Sequence, residues 1–142
     1  AMNHSISEVM ETMFYLPVEI RDDARLSETG WGADSAILAS ELTFSGEVNG
    51  KLVLVIPRDL LRTMTENFMG ETSEEEISLF LDGTLTETLN MICGNMLSRI
   101  DTQSPVALGI PQRLEGLKLD DPAPYTIVDT MEAKLAVRLS VD

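Results

Sequence analysis

The stretch TETLNMICGN, Thr86 to Asn95, sets a carboxylate and a carboxamide three residues apart, Glu87 and Asn90, with Gly83 and Gly94 beyond them on either side. At 100° per residue and with Leu85 as origin, these four residues fall between about 140° and 200° around a helix, forming one stripe. On the same wheel Leu81, Leu85, Leu89, Ile92, Cys93, Met96 and Ile100 lie within about 60° of a line near 20°, the side that must face a core. A glycine inside a helix costs roughly 1 kcal/mol relative to alanine, so two of them bracketing a Glu and an Asn call for a reason, and close approach of another backbone is one. Two readings stay open on pattern alone. Either a second helix of the same domain packs on this side or the glycines are simply tolerated, or the stripe is a groove where a partner docks against Glu87 and Asn90.

Little else in the chain could carry catalysis. The one histidine, His4, stands in a terminal segment read as frayed, which leaves no material for histidine general-base chemistry or a histidine-rich metal site. Cys93 has no histidine partner and falls on the apolar side of the helix, so it reads as a buried thiol rather than a nucleophile. There is no P-loop and no G-x-G-x-x-G run. The acidic run that follows Ser73 reads as a solvated helix start, not as a metal site. The eight methionines, Met10, Met13, Met64, Met69, Met91 and Met96 among them, could form an adaptable surface; most read as core, with Met91 the best placed to be exposed.

These residues belong to a chain of 142 residues, 44% hydrophobic and 24% charged, the composition of one folded domain spanning residues 1–142. Ten basic against 24 acidic residues give a formal net charge of -14, which sets long-range repulsion against nucleic acid and anionic membrane. No apolar run approaches the roughly 20 residues needed to cross a bilayer, and the start of the chain lacks the basic region and apolar core of a secretory signal. A cytoplasmic location is expected, in keeping with a single cysteine and hence no intrachain disulfide. Ala1 before Met2 reads as a cloning remnant and residues 1–4 as a disordered start.

The elements that would position the stripe follow from periodicity. SISEVMETMFYLP spaces Ile6, Val9, Met10, Met13 and Phe14 for a short helix, opened by a Ser5 and Glu8 capping box and closed before Pro17. Residues 21–33 read as a loop or short edge strand with Trp31 as a packing anchor. Two strand-like runs between Ser35 and Pro57 flank Asn49-Gly50, a favourable pair for a tight hairpin turn. RDLLRTMTENFMG reads as a helix ended by Gly70, and a long amphipathic helix is expected from about Glu74 to Ile100, opened by a Ser73 and Glu76 capping box. SPVALGI, PYTIVDT and AKLAVRLSVD read as strands, the last alternating through Leu135, Val137, Leu139 and Val141. The order predicts an α+β fold, an antiparallel sheet packed with the long helix and shorter helices, and with a faint duplication of helix followed by strands in each half.

ETLNMICGN followed by SPVALGIPQ resembles the CheX branch of the CheC/CheX/FliY chemotaxis phosphatases, through Glu87, Asn90, Gly94, Asn95 and Pro105. The likeness extends from EVMETMF through NGKLVLVIP and NFMGETSEEE to the C-terminal strands. Where CheC-type motifs favour Asp or Ser four residues before the Glu, this chain has Gly83, with Asp82 one position off. The resemblance implies a phosphatase acting on the aspartyl phosphate of a CheY-like receiver domain, with Mg²⁺ held by the receiver and no cofactor or metal on this chain. It casts Asn90 as the residue that holds water in line, Glu87 as the partner of a receiver lysine, and Gly83, Met91 and Gly94 as the surface the receiver approaches. Glu8 and Glu11 on the first helix have no matching Asn, so a single site is expected. The resemblance further implies a homodimer joined through its sheets, for which the C-terminal strand could supply the edge. The alternative is a non-catalytic module on the same fold that binds a receiver or another signalling protein without turnover.

Overall fold

Five consecutive buried residues, Leu52 to Ile56, mark the strand around which the domain is organised. A strand that is apolar at every position must be covered on both faces. Leu52, Leu54 and Ile56 join Leu42, Phe44, Val128, Leu135 and Val137 in one cluster under the helices. Val53 and Val55 join Ala39, Tyr125, Ile127 and Ala136 in a second cluster on the other face, closed by Leu26 and by the half-buried Trp31, Leu114 and Leu117. Trp31 is thus the packing anchor expected of it.

The computed structural model describes residues 2–32, 35–70, 73–99 and 106–142. In chain order the elements are α1 (Met2–Phe14), β1 (Val18–Ala24), a short 3-10 turn (Leu26–Glu28), β2 (Ile37–Ser45), β3 (Gly50–Pro57), α2 (Arg58–Met69), α3 (Glu74–Ser98), β4 (Ala107–Leu108), β5 (Gln112–Arg113), β6 (Tyr125–Thr130) and β7 (Lys134–Val141). The sheet is antiparallel in the order β1-β6-β7-β3-β2-β4, with β5 also on β2. The α+β class read from the element order holds. So does the duplication, in topological form: hairpins β2-β3 and β6-β7 meet through β3 and β7, β1 of the first half crosses to β6, and β4 and β5 of the second half cross to β2.

Several local expectations are corrected. Helix α1 begins at Met2, so His4 is helical rather than frayed, and Ser5 is not a cap. Ser5 is fully buried against the core, its Oγ without a hydrogen-bond partner among the described residues. Helix α1 stops because Tyr15 turns into the left-handed region at φ 57, with the Leu16 N–H bonded to the Met10 carbonyl at 3.0 Å. The segment from residue 18 is a true edge strand, bulged where Asp23 takes φ 55, a conformation a short polar side chain tolerates.

The β2-β3 connection is wider than an Asn-Gly two-residue turn. Gly46 makes the turn at φ 144 and Asn49 Oδ1 accepts from its N–H at 3.1 Å, whereas Gly50 opens β3. There a Cβ would collide with the Ser140 carbonyl and the Phe44 ring, so glycine at 50 serves the close approach of β7. Strand β7 itself lies between β6 and β3, in the interior of the sheet, and cannot offer the dimer edge expected of it. The segment SPVALGI contributes only two strand residues, and β5 was not expected at all. Ala1, Ala33, Ile100 and Pro105, each part of a sequence reading above, lie outside the described residues.

Candidate functional site

Helix α3 carries the stripe, and its start is fixed locally. Ser73 caps it by accepting from the Glu76 N–H at 3.2 Å, and Glu74, Glu75 and Glu76 occupy the first turn, where carboxylates favour the positive end of the helix dipole. All three acids are exposed, and Glu74 pairs with Arg62 of α2.

The inner side of α3 is as the wheel placed it. Leu81, Leu85, Leu89, Ile92, Cys93 and Met96 are buried, and burial pushes the Cys93 thiol up to about 11. The buried arc is nevertheless wider than the apolar residues alone describe, because Thr84 and Thr88 are buried too. Their hydroxyls are satisfied within the helix, Thr84 donating to the Phe80 carbonyl at 3.0 Å and Thr88 to the Thr84 carbonyl at 2.7 Å. Thr84 Oγ1 also lies 2.8 Å from Thr65 Oγ1 of α2, so the two helices meet through paired hydroxyls.

The opposite side is open. Glu87 and Gly83 are exposed, while Asn90, Met91 and Gly94 are half-buried. A Cβ built on Gly83 or on Gly94 meets nothing within 4 Å among the described residues. The reading in which a second helix of this domain packs on the glycines therefore fails: both leave open space. Neither the Glu87 nor the Asn90 side chain has a hydrogen bond or ion pair among the described residues. Asp82, one position before Gly83, is held by Arg113 of β5 at 2.6 Å.

Asn95, the last residue of the motif in the described chain, has a different place. Its Nδ2 donates to Glu8 of α1 at 3.0 Å, and its Oδ1 accepts from Arg99 at 3.0 Å. Arg99 also binds the Glu8 carboxylate. These contacts, the Asn95 hydrogen bond foremost, hold the Glu8 carboxyl below the usual carboxylate range. Glu8 is thereby committed to tying α1 to α3.

Sequence reasoning missed what lies beside the stripe. A groove of about 260 Å³, almost wholly apolar, opens between α3 and the ends of α1 and α2. Buried Phe14 and Thr84 form its floor, Phe68 and Phe80 its half-exposed walls, and Gly83 and Glu87 its rim. The Phe14 and Phe68 rings sit 6.0 Å apart, and Asn67 Nδ2 donates to the Phe14 carbonyl at 2.8 Å, fixing the end of α1 against α2. A signal for it existed: Phe80 and Met91 fall near 220° and 240°, roughly beside the polar stripe rather than with the core. Met91 lines this groove, yet the methionine that stands most exposed is Met131, at 96%, after β6.

The fold with this helix across one face of a pseudo-duplicated antiparallel sheet is that of chemotaxis proteins of the CheX and CheC type. The structure of a CheX-CheY-BeF3-Mg complex from Borrelia burgdorferi superposes with a TM-score of 0.74 at 16% identity, covering 99% of this chain and 94% of that one. A CheX from Desulfovibrio desulfuricans gives 0.69 at 13% identity, covering 99% and 96%. A CheX from Vibrio vulnificus gives 0.65 at 14%, with the same coverage. None of the curated proteins matches the chain in sequence. The model of the family described as chemotaxis phosphatase CheX matches residues 39–124, which include α3 and the stripe, and the chain belongs to that family. No helix of the described residues is long and apolar enough to cross a membrane.

Proposed function

We propose that this protein is a phosphatase for the aspartyl phosphate of a CheY-like receiver domain, with Glu87 and Asn90 as its working residues. The observation that carries the reading is the open side of α3: a Glu and an Asn one turn apart, without side-chain partners among the described residues, between two glycines at which a Cβ would meet nothing within 4 Å. Membership of a family described as chemotaxis phosphatases supports the reaction class, and the CheY in the Borrelia complex supports the kind of partner.

The chemistry asks little of the phosphatase. Phosphoryl transfer to water depends on placing the nucleophile in line and stabilising charge on the transferring group. A carboxamide is too weak a base to deprotonate water, but Asn90 can accept from and donate to it and so hold it for attack. Glu87 forms a charge-assisted hydrogen bond to a receiver cation, a lysine, fixing the orientation of the partner. Gly83 and Gly94 let the helix backbone come close to the phosphorylated aspartate, and Met91 lies against the partner. Among the described residues no three His, Cys, Asp or Glu side chains gather into a metal-binding group. In this reading Mg²⁺ is the receiver's, where it neutralises charge on the phosphoryl oxygens. A cytoplasmic homodimer is part of the same proposal, with β1, whose outer edge has no neighbour among the described residues, as the strand available for sheet pairing.

The test is a screen of the host's receiver domains, each charged with a small phosphodonor, for faster phosphate loss on addition of the protein. One or a few receivers should respond. Tight receiver binding with no acceleration in any of them would favour the non-catalytic module instead.

A further inference from the structure

We propose that the groove walled by Phe68 and Phe80 seats one apolar side chain, aromatic or branched aliphatic, that the receiver carries next to the cationic residue held by Glu87. The proposal rests on the reading of Glu87 and Asn90 given above, and adds to it the residues that select the partner.

Area makes the first argument. From Gly83 to Gly94 the stripe rises roughly 16 Å along a helix about 10 Å wide, or roughly 160 Å². A specific interface covers about 800 Å² on each partner. A receiver seated on Glu87 must therefore cover neighbouring surface, and the groove begins at Glu87 and Gly83 themselves. The second argument is chemical. The floor offers no free donor, because the Thr84 hydroxyl is given to the Phe80 carbonyl and lies against Thr65 Oγ1. An occupant with a polar end would be left unpaired there, whereas a hydrocarbon or ring loses only water. The third is shape: Phe68 and Phe80 are each 49% exposed while standing over fully buried Phe14, a concave apolar site with one carboxylate at its lip. Large aromatic walls around a desolvated pocket are where binding energy concentrates.

The experiment uses the full chain and a receiver found to respond in the screen, held in its activated form with beryllofluoride and Mg²⁺. Dissociation constants are measured for Phe80→Ser, Phe68→Ser and, as control, Leu79→Ser, whose side chain is 77% exposed but lines no part of the groove. The groove variants should bind about 10- to 30-fold more weakly, the size of a modest hot spot, with kcat at saturating receiver retained and Leu79→Ser unchanged. In the unaltered protein, amide exchange across residues 66–69 and 80–84 should slow when the receiver binds, a readout that needs no variant to fold. Affinity unchanged in folded Phe80→Ser and Phe68→Ser, or protection confined to residues 87–94, overturns the proposal while leaving the site reading intact. Loss of self-association in these variants without loss of receiver affinity overturns it in favour of a second copy of this chain. Failure of every receiver to bind removes the underlying reading and this one with it.

Discussion

Asn95 on α3 donates a 3.0 Å hydrogen bond to Glu8 on α1, so a residue of the family motif serves to join two helices while its neighbours on α3 face out. Helix α3 can leave Glu87 and Gly83 exposed and Asn90 and Gly94 half-buried because its other sides are packed: the apolar arc in the core, threonines against α2, and Asn95 against α1. The proposed site therefore lies on a helix rather than on a loop, which suits a mechanism that depends on positioning.

The Glu8 tie makes stability depend on pH in a defined direction. Its carboxyl is held below the ordinary value, so its contribution is complete above the unfolded carboxylate range and is lost as pH falls through the lower folded value. Glu8→Gln should lower the melting temperature at neutral pH, and the difference from wild type should shrink as pH drops below about 4.5, the ordinary carboxyl value. Thermal melts of both proteins across that range check it; a constant difference would mean that the ionised Glu8 carboxylate is not the source.

Under the proposed function, the two glycines set stability against activity. With open space at both positions, Gly83→Ala and Gly94→Ala should each stabilise the domain by about 0.8–1 kcal/mol, the helix propensity difference. Both should slow receiver dephosphorylation, because in the proposed mode of docking the added methyl stands where the partner approaches. Chemical unfolding and phosphate release on the same samples decide; variants that are more stable and equally active would show that the glycines are merely tolerated.

Glu87 should act on binding more than on the chemical step. Glu87→Gln keeps shape and removes charge, and the loss of a charge-assisted bond predicts a rise in KM of about tenfold with kcat largely kept. The salt dependence of KM should flatten as well. A fall in kcat at unchanged KM would assign Glu87 to the reacting atoms instead.

Much of this was legible in the sequence, and what was not has physical causes. The long helix, its Ser73 cap and the two-sided division of α3 follow from periodicity that burial enforces. Burial of Thr84 and Thr88 was not legible, because a threonine is buried in a helix only when α2 supplies the covering surface and the helix carbonyls take the hydroxyls. The interior position of β7 was hidden for a similar reason: alternation fixes which residues face the core but not which strand is the neighbour. The groove depends on where α1 and α2 stop, at Tyr15 and Gly70, and so on three elements at once. The roles proposed for Glu87 and Asn90 rest on resemblance, whereas the open face they stand on comes from the fold.

Cys93 should be inert in the native state. Buried and with its thiol raised to about 11, it should react with an aromatic disulfide reagent only on the timescale of unfolding, and at once in denaturant. Rapid native-state labelling would contradict its place in the core.

The proposed role of Asn90, positioning the attacking water, is tested most directly by single-turnover phosphate loss from a responsive receiver with Asn90→Ala. Alanine is the better helix former, so the variant should fold at least as well as wild type. Receiver binding should be retained and acceleration reduced on the order of 100-fold. Acceleration equal to wild type in the Asn90→Ala protein would contradict that role.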